Sequence, residues 1–258
     1  MIKKIAKLLA PSKLLEEFRQ VRHFYRYARY DPFRGFPSQA KTFQALRDLG
    51  WRPGCCIDVG AYEGKWAEFF VGCFPDSHVL MVEGQPGMSA QIDKVVAEHP
   101  DHFGYEIALL GAEDGAEVVF HEMKTGSSVF EENSSVARNS VKRSLTTLDT
   151  LLERHPDFQQ AQCLKLDTQG YELEVLRGAA RLLRQVEVVL MEVSLVAVNQ
   201  NAPLLAEVVA FMDERGFKVF DFCSQIRRKD KVLWQTDLLF IRKGSALEPE
   251  ARLTEINW

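Results

Sequence analysis

The sequence predicts an α/β protein: a mostly parallel sheet with helices on both faces. Three observations carry that prediction. Apolar runs of strand length alternate with amphipathic segments of helix length from residue 54 to residue 215. The first run ends in Asp58-Val59-Gly60-Ala61, with Gly64 four positions beyond Gly60, and Trp66, Phe69, Phe70 and Cys73 then recur at helical spacing. That is a strand, a tight turn and a helix N-terminus. The run 186–193 is almost wholly apolar, as a strand covered on both faces should be. A chain of 258 residues with 46% apolar content is long enough for one large domain of this kind and an appendage.

Residues 1–35 read as the appendage. Lys3, Lys4, Lys7, Lys13, Arg19, Arg22, Arg26 and Arg29 outnumber Glu16 and Glu17, and Ile5, Leu8, Leu14, Leu15, Phe18 and Val21 are interleaved with them. This predicts a basic amphipathic helical extension, broken at Pro11-Ser12. It suits peripheral contact with an anionic membrane face or an acidic partner, and equally packing on the domain or on a second copy in a homodimer. The domain proper is expected over 36–258. A turn-rich hinge ends at Pro37, and a helix over 39–49 puts Phe43, Leu46 and Leu49 on one face before Gly50. Strands are then expected at 54–59, 78–83, 103–109, 162–167 and 186–193, with helices at 64–73, 86–98, 147–154, 171–184 and 202–215. An extra strand is expected at 116–122. The Ser/Asn-rich stretch 124–141 lacks periodicity and reads as a loop. The last runs, 217–222 and 233–242, flank a basic turn and read as a closing antiparallel hairpin.

Bulk properties exclude several classes. A net charge of −4 argues against a chain built to bind nucleic acid. Five cysteines, an odd number in apolar segments, read as buried thiols of a reducing compartment, which predicts a cytoplasmic protein. No run has the length of a membrane-spanning helix, and the charge-interrupted N-terminus is no signal peptide, so membrane contact would be peripheral at the inner face. Zinc-ligand spacing, a nucleophile elbow and a phosphate-binding loop are all missing from the sequence.

Ligands of a parallel sheet bind beyond the carboxyl ends of its strands. Four acids stand there: Asp58, Glu83, Asp167 and Glu192. With Gly60 and Gly64 but no third glycine, the first turn departs from the dinucleotide pattern, and S-adenosylmethionine is the cofactor it favours. Glu83, 23 positions after Gly60, is placed to accept both hydroxyls of a ribose, a role that serves a nicotinamide dinucleotide equally well. Asp58 is read as orienting the turn or meeting the methionine part of the cofactor, with Gly60, Ala61 and Gly64 around it. Ile107-Ala108-Leu109 could hold the adenine. In the block Cys163-Leu164-Lys165-Leu166-Asp167-Thr168-Gln169-Gly170-Tyr171-Glu172, the acids Asp167 and Glu172, together with Glu192, are read as facing the acceptor, and Asp167 also as a cofactor contact beside the transferable methyl. A carboxylate there can take a proton from an attacking alcohol, or hold a divalent metal that acidifies it. Lys165 is read as pairing with these acids. Plain helix capping by Glu172 and a plain buried ion pair at Lys165 are the competing structural readings.

The order of these motifs resembles the FkbM family of methyltransferases. The likeness runs through Asp58-Val59-Gly60-Ala61 with Gly64, Val82-Glu83, Ile107-Ala108-Leu109, Ser127-Ser128, Leu148-Asp149, the Lys165–Glu172 block with Leu176-Arg177-Gly178-Ala179, Met191-Glu192 and Asp237-Leu238-Leu239-Phe240. It covers roughly residues 50–243. A departure is Gly84-Gln85-Pro86, where many relatives run from the acid directly into proline. The resemblance implies the class I methyltransferase, Rossmann-like fold: a seven-stranded sheet with an antiparallel last strand. It also implies O-methylation of a hydroxyl, with sugars of glycans, glycolipids or natural products as acceptors. Two rivals stand beside it: a nicotinamide-dependent oxidoreductase, and a non-catalytic scaffold of methyltransferase shape acting through its basic N-terminal segment.

Overall fold

The computed structural model describes residues 37–123, 126–131 and 138–248. The basic extension expected at 1–35 lies outside the described residues. In chain order the elements are α1 (Gln39–Asp48), β1 (Cys55–Val59), α2 (Lys65–Cys73), β2 (His78–Glu83), α3 (Ser89–Glu98), β3 (Phe103–Ile107), β4 (Leu109–Leu110), β5 (Glu117–Glu122), β6 (Asn139–Thr146), α4 (Leu148–Leu151), β7 (Cys163–Leu166), α5 (Glu172–Arg177), β8 (Val188–Ser194), α6 (Leu205–Glu214), β9 (Phe217–Phe222), β10 (Ile226–Arg227) and β11 (Leu233–Arg242).

The main sheet runs β3-β2-β1-β7-β8-β11-β9, with the short β10 also paired to β11. The five strands from β3 to β8 are parallel. β11 lies antiparallel between β8 and β9. This is the seven-stranded order of the class I methyltransferase fold, with its antiparallel late strand. Pleating sorts the side chains of each strand onto two faces. Ile57, Val59, Leu80 and Val82 pack with Leu148, Leu176, Val208 and Met212 of α4, α5 and α6. Cys56, Val79 and Met81 pack with Phe43 of α1, Phe70 of α2 and Ile92 of α3 on the other face. An aromatic seam joins α1 to α2: the Phe43 ring meets Phe70 edge-on at 5.5 Å and Phe74 at 5.7 Å. Such pairs add about 0.5–1.5 kcal/mol each beyond area burial, and this seam fixes where the N-terminus of α1 sits against α2. Among the described residues no helix is long and apolar enough to cross a membrane.

Three expectations are revised. The strand expected at 103–109 breaks at Ala108, whose N–H makes the last bond of the β2–β3 ladder, to the Glu83 carbonyl at 2.9 Å. Beyond the break, β4 joins a separate three-stranded sheet, β4-β6-β5. The loop expected at 124–141 gives way, from Asn139, to β6, paired antiparallel with β5. The helix expected at 171–184 ends at Arg177, and a 3-10 turn follows at Leu182–Arg184. Gly178 is the C-cap, and a Cβ there would stand 2.1 Å from the Gly111 carbonyl oxygen, so this point of the chain closes onto the β4 end.

Candidate active site

The glycine turn after β1 is built by close approach of backbones. Gly60 adopts a left-handed conformation, φ +77°, and a Cβ on it would lie 1.9 Å from the Asp167 carbonyl oxygen. No other residue fits there. The Gly60 and Ala61 N–H groups both donate to the Val82 carbonyl, at 2.9 and 3.2 Å, and the Asp167 N–H donates to the Val59 carbonyl at 3.0 Å. The turns after β1 and β7 and the end of β2 are thereby locked together. Gly64, at φ +80°, caps α2, and its missing side chain makes room for Met81 and Val95.

Glu83 closes β2 with its carboxylate held by both neighbouring turns. The Tyr62 N–H donates to Oε2 at 2.8 Å, and the Gln85 N–H donates to Oε1 at 2.8 Å. Burial pushes its pKa up, and those N–H groups partly offset the rise. The Gly84-Gln85 insertion before Pro86 thus supplies a donor to the acid instead of displacing it.

These turns surround a cavity of about 410 Å³ at the carboxyl edge of β1, β2 and β7. Val59 and Val82 lie beneath it. On the β3 side its wall is apolar, formed by Ala108, Leu109, Leu110, Phe120 and Val129. On the β7 side it is polar, formed by Lys165, Asp167, Thr168 and Gln169. Of the residues singled out in the sequence, Gly60, Ala61, Glu83, Ala108, Lys165 and Asp167 line this one cavity. Asp58, Gly64, Glu172 and Glu192 stand behind the lining.

Their positions show what each touches. Asp58 is fully buried and pairs with Lys165 Nζ at 3.0 Å. The same ammonium lies 3.7 Å from Asp167 Oδ2 and donates to the Gly60 carbonyl at 3.1 Å, so it ties β1, its turn and the end of β7. Burial alone would lower the Lys165 pKa. The carboxylates of Asp58 and Asp167 outweigh it and raise it, so the lysine stays charged. Glu172 is buried and accepts the Thr168 N–H at 2.8 Å and the Gly170 N–H at 3.1 Å. It holds the turn in which Gln169 and Gly170 adopt φ +55° and +98°. Burial nevertheless pushes its pKa up to about 7.

Glu192 joins a polar string across three strands. One of its oxygens accepts from Gln169 Nε2 and from Gln235 Nε2, each at 2.8 Å, and Gln169 Nε2 also donates to Asp167 Oδ1 at 2.9 Å. Burial, with the nearby Asp167, Glu172 and Asp237, pushes the Glu192 pKa up to about 9. Asp237 on β11 extends the cluster. It accepts from Gln39 Nε2 at 2.8 Å, while Gln39 Oε1 accepts from the indole N–H of Trp66, which lines the cavity. Gln39, Gln169 and Gln235 were not anticipated as site residues. They come from α1, a turn and β11, and no spacing in the sequence links them. Among the described residues, the one trio of acid and histidine ligand atoms within 4.8 Å of one another is Glu68, Glu98 and His99, away from the strand ends.

The segment 126–130 closes one side. The Ser128 hydroxyl donates to the Gln169 carbonyl at 2.9 Å, and Ser127 and Val129 line the cavity. His121 bonds Ser140 through Nδ1 at 2.9 Å and does not line the cavity.

The chain matches the Methyltransferase FkbM domain over residues 58–219. No curated protein matches it. Among solved structures it is similar to a precorrin-6y C5,15-methyltransferase from Geobacter metallireducens, at 11% identity and a TM-score of 0.45, over 78% of this chain and 86% of that one. A 1,6-didemethyltoxoflavin-N1-methyltransferase from Burkholderia thailandensis, solved with S-adenosylhomocysteine, gives 10% identity and 0.44, over 91% and 92%. An O-methyltransferase family protein from the same organism gives 11% and 0.46, over 79% and 55%.

Proposed function

This chain belongs to the FkbM family of S-adenosylmethionine-dependent methyltransferases, and from that premise we propose that it methylates a hydroxyl oxygen on a sugar of a glycan, glycolipid or natural product. The nicotinamide and scaffold readings give way to the family match. Bound S-adenosylmethionine supplies a methyl group activated by a sulfonium. The residues present fit that cofactor. The cavity has the size of small-molecule sites. Glu83 is held by backbone donors with lone pairs left for ribose hydroxyls, Ala108, Leu109 and Phe120 offer an apolar slot for a base, and the Gly60–Tyr62 turn faces the polar end. A divalent metal is not needed by this reading.

The observation that carries the choice of a hydroxyl is Asp167. Its side chain is 39% exposed, lines the cavity, and is oriented by Gln169 on one oxygen and Lys165 near the other. We assign it the proton of the acceptor hydroxyl. The charged Lys165 ammonium lies 3.7 Å from Asp167 Oδ2, and Glu192, whose pKa burial and the neighbouring acids push up to about 9, holds a proton behind it at neutral pH. Glu172 positions the turn that carries Asp167. General-base catalysis of this kind is worth roughly 10²–10⁴ in rate. Asp167→Asn should therefore bind S-adenosylmethionine within a few-fold of wild type, and lose about that factor in S-adenosylhomocysteine production against a panel of sugars and glycolipids. Full activity in the variant, or product methylated at nitrogen or carbon, would refute the assignment. For residues 1–35 we propose peripheral contact with an anionic membrane face in the cytoplasm, or with a second copy of the chain.

A further inference from the structure

The hairpin between β10 and β11 carries a charge opposite to that of the whole chain. Arg227, Arg228, Lys229 and Lys231 stand within five residues against one acid, Asp230, in a chain whose net charge is −4. Asp230 is engaged by Arg228 at 2.6 Å. Among the described residues the side chains of Lys229 and Lys231 have no ion pair or hydrogen bond. The turn itself is built: the Arg228 N–H donates to the Val232 carbonyl at 2.9 Å, the Lys231 N–H to the Arg228 carbonyl at 2.9 Å, and Lys231 takes φ +70°.

Apolar side chains flank this charge. Large exposed hydrophobics are few among the described residues: Leu49, Val119, Phe222, Ile226 and Val232. Three of the five, Phe222 (48% exposed), Ile226 (36%) and Val232 (44%), fall at or beside the hairpin. An isolated exposed apolar residue needs no explanation, but a cluster set among unpaired cations marks a contact surface. Its position adds to this. β11 runs antiparallel to β8, with Gln235 opposite Ser194, so the hairpin projects from the carboxyl edge of the sheet, the edge on which the cavity lies.

We propose that the 226–232 hairpin is a docking surface for an anionic phospholipid bilayer. The lysines and arginines meet lipid phosphates, and Ile226 and Val232 enter the interface between headgroups and chains. The proposal uses no residue of 1–35, and it does not rest on the choice of a hydroxyl acceptor. Docking there would face the carboxyl edge of the sheet toward the membrane, where lipid-borne acceptors are displayed.

Co-sedimentation of the full chain with vesicles tests the proposal. Wild type should pellet with phosphatidylcholine vesicles containing phosphatidylglycerol, be released by salt, and ignore pure phosphatidylcholine. The Lys229→Glu/Lys231→Asn variant keeps a residue tolerant of positive φ at 231 and should bind about tenfold more weakly or worse. Ile226→Ser/Val232→Ser should also weaken binding several-fold, with S-adenosylmethionine affinity unchanged in both variants as the check on folding. Three results overturn the proposal. The first is a wild type that does not pellet. The second is a charge variant that binds like wild type, which moves the contact to residues 1–35. The third is an effect confined to the charge variant, which makes the hairpin a site for soluble polyanions.

Discussion

Asp58 and Lys165 form the one buried ion pair among the described residues that touches both glycine turn and cavity. Asp58 has no exposed surface, and neither of its oxygens has a hydrogen bond of good geometry, so its charge is balanced by the Lys165 ammonium at 3.0 Å. Removing one partner of such a pair leaves an uncompensated buried charge and costs about 3–5 kcal/mol. Lys165→Met should therefore destabilise the protein by about that much in urea titration, and the double variant Lys165→Met/Asp58→Leu should recover most of the loss. If the double variant is less stable than the single one, the pair is not the reason the lysine is there. Both residues were legible in the sequence, since each is a charge inside an apolar run. Their mutual contact was not, because β1 and β7 are adjacent only through a crossover that spans more than a hundred residues. The same holds for Gly60. Its place after a strand was plain from the sequence, but the reason for it, the Asp167 carbonyl lying where a side chain would begin, belongs to a neighbouring strand.

At the scale of elements, strand ends converge acids that are far apart in sequence. Asp167 follows β7, Glu192 lies in β8 and Asp237 lies in β11 opposite Glu192. A carboxyl whose pKa is raised by folding holds its proton more tightly in the folded chain than in the unfolded one. Its contribution to stability therefore falls as pH climbs from the ordinary carboxylate range to about 9, the value to which Glu192 is pushed. Glu192→Gln keeps an acceptor for Gln169 and Gln235 but cannot ionise. Thermal melts should show the variant more stable than wild type at pH 9, with the gap closing toward pH 5. A gap independent of pH would show that Glu192 does not carry this burden. The parallel strands and the helices between them were readable because full burial writes long apolar runs and 3.6-residue periodicity. β6 was not, because Asn139-Ser140-Val141-Lys142-Arg143-Ser144 is mostly exposed and leaves only a faint alternation. α5 was read too long because Gly178 looks like a tolerated helix residue until Gly111 is seen against it.

Over the whole molecule, two helical layers clamp the sheet, and the carboxyl edge is left to the turns. One cavity there gathers Gly60, Ala61, Glu83, Ala108, Lys165 and Asp167, while Asp58, Glu172 and Glu192 hold the residues and turns around it. The hairpin at 226–232 adds a basic, partly apolar projection at that same edge. The proposed function requires this cavity to be the cofactor site, with Glu83 as its anchor. Calorimetric titration of S-adenosylmethionine into the wild type and Glu83→Ala tests it most directly. Loss of hydrogen bonds from a buried carboxylate to ribose should weaken binding at least about tenfold, or about 1.5–3 kcal/mol, while the fold persists. Equal affinity in the two proteins would place the cofactor elsewhere and contradict the account.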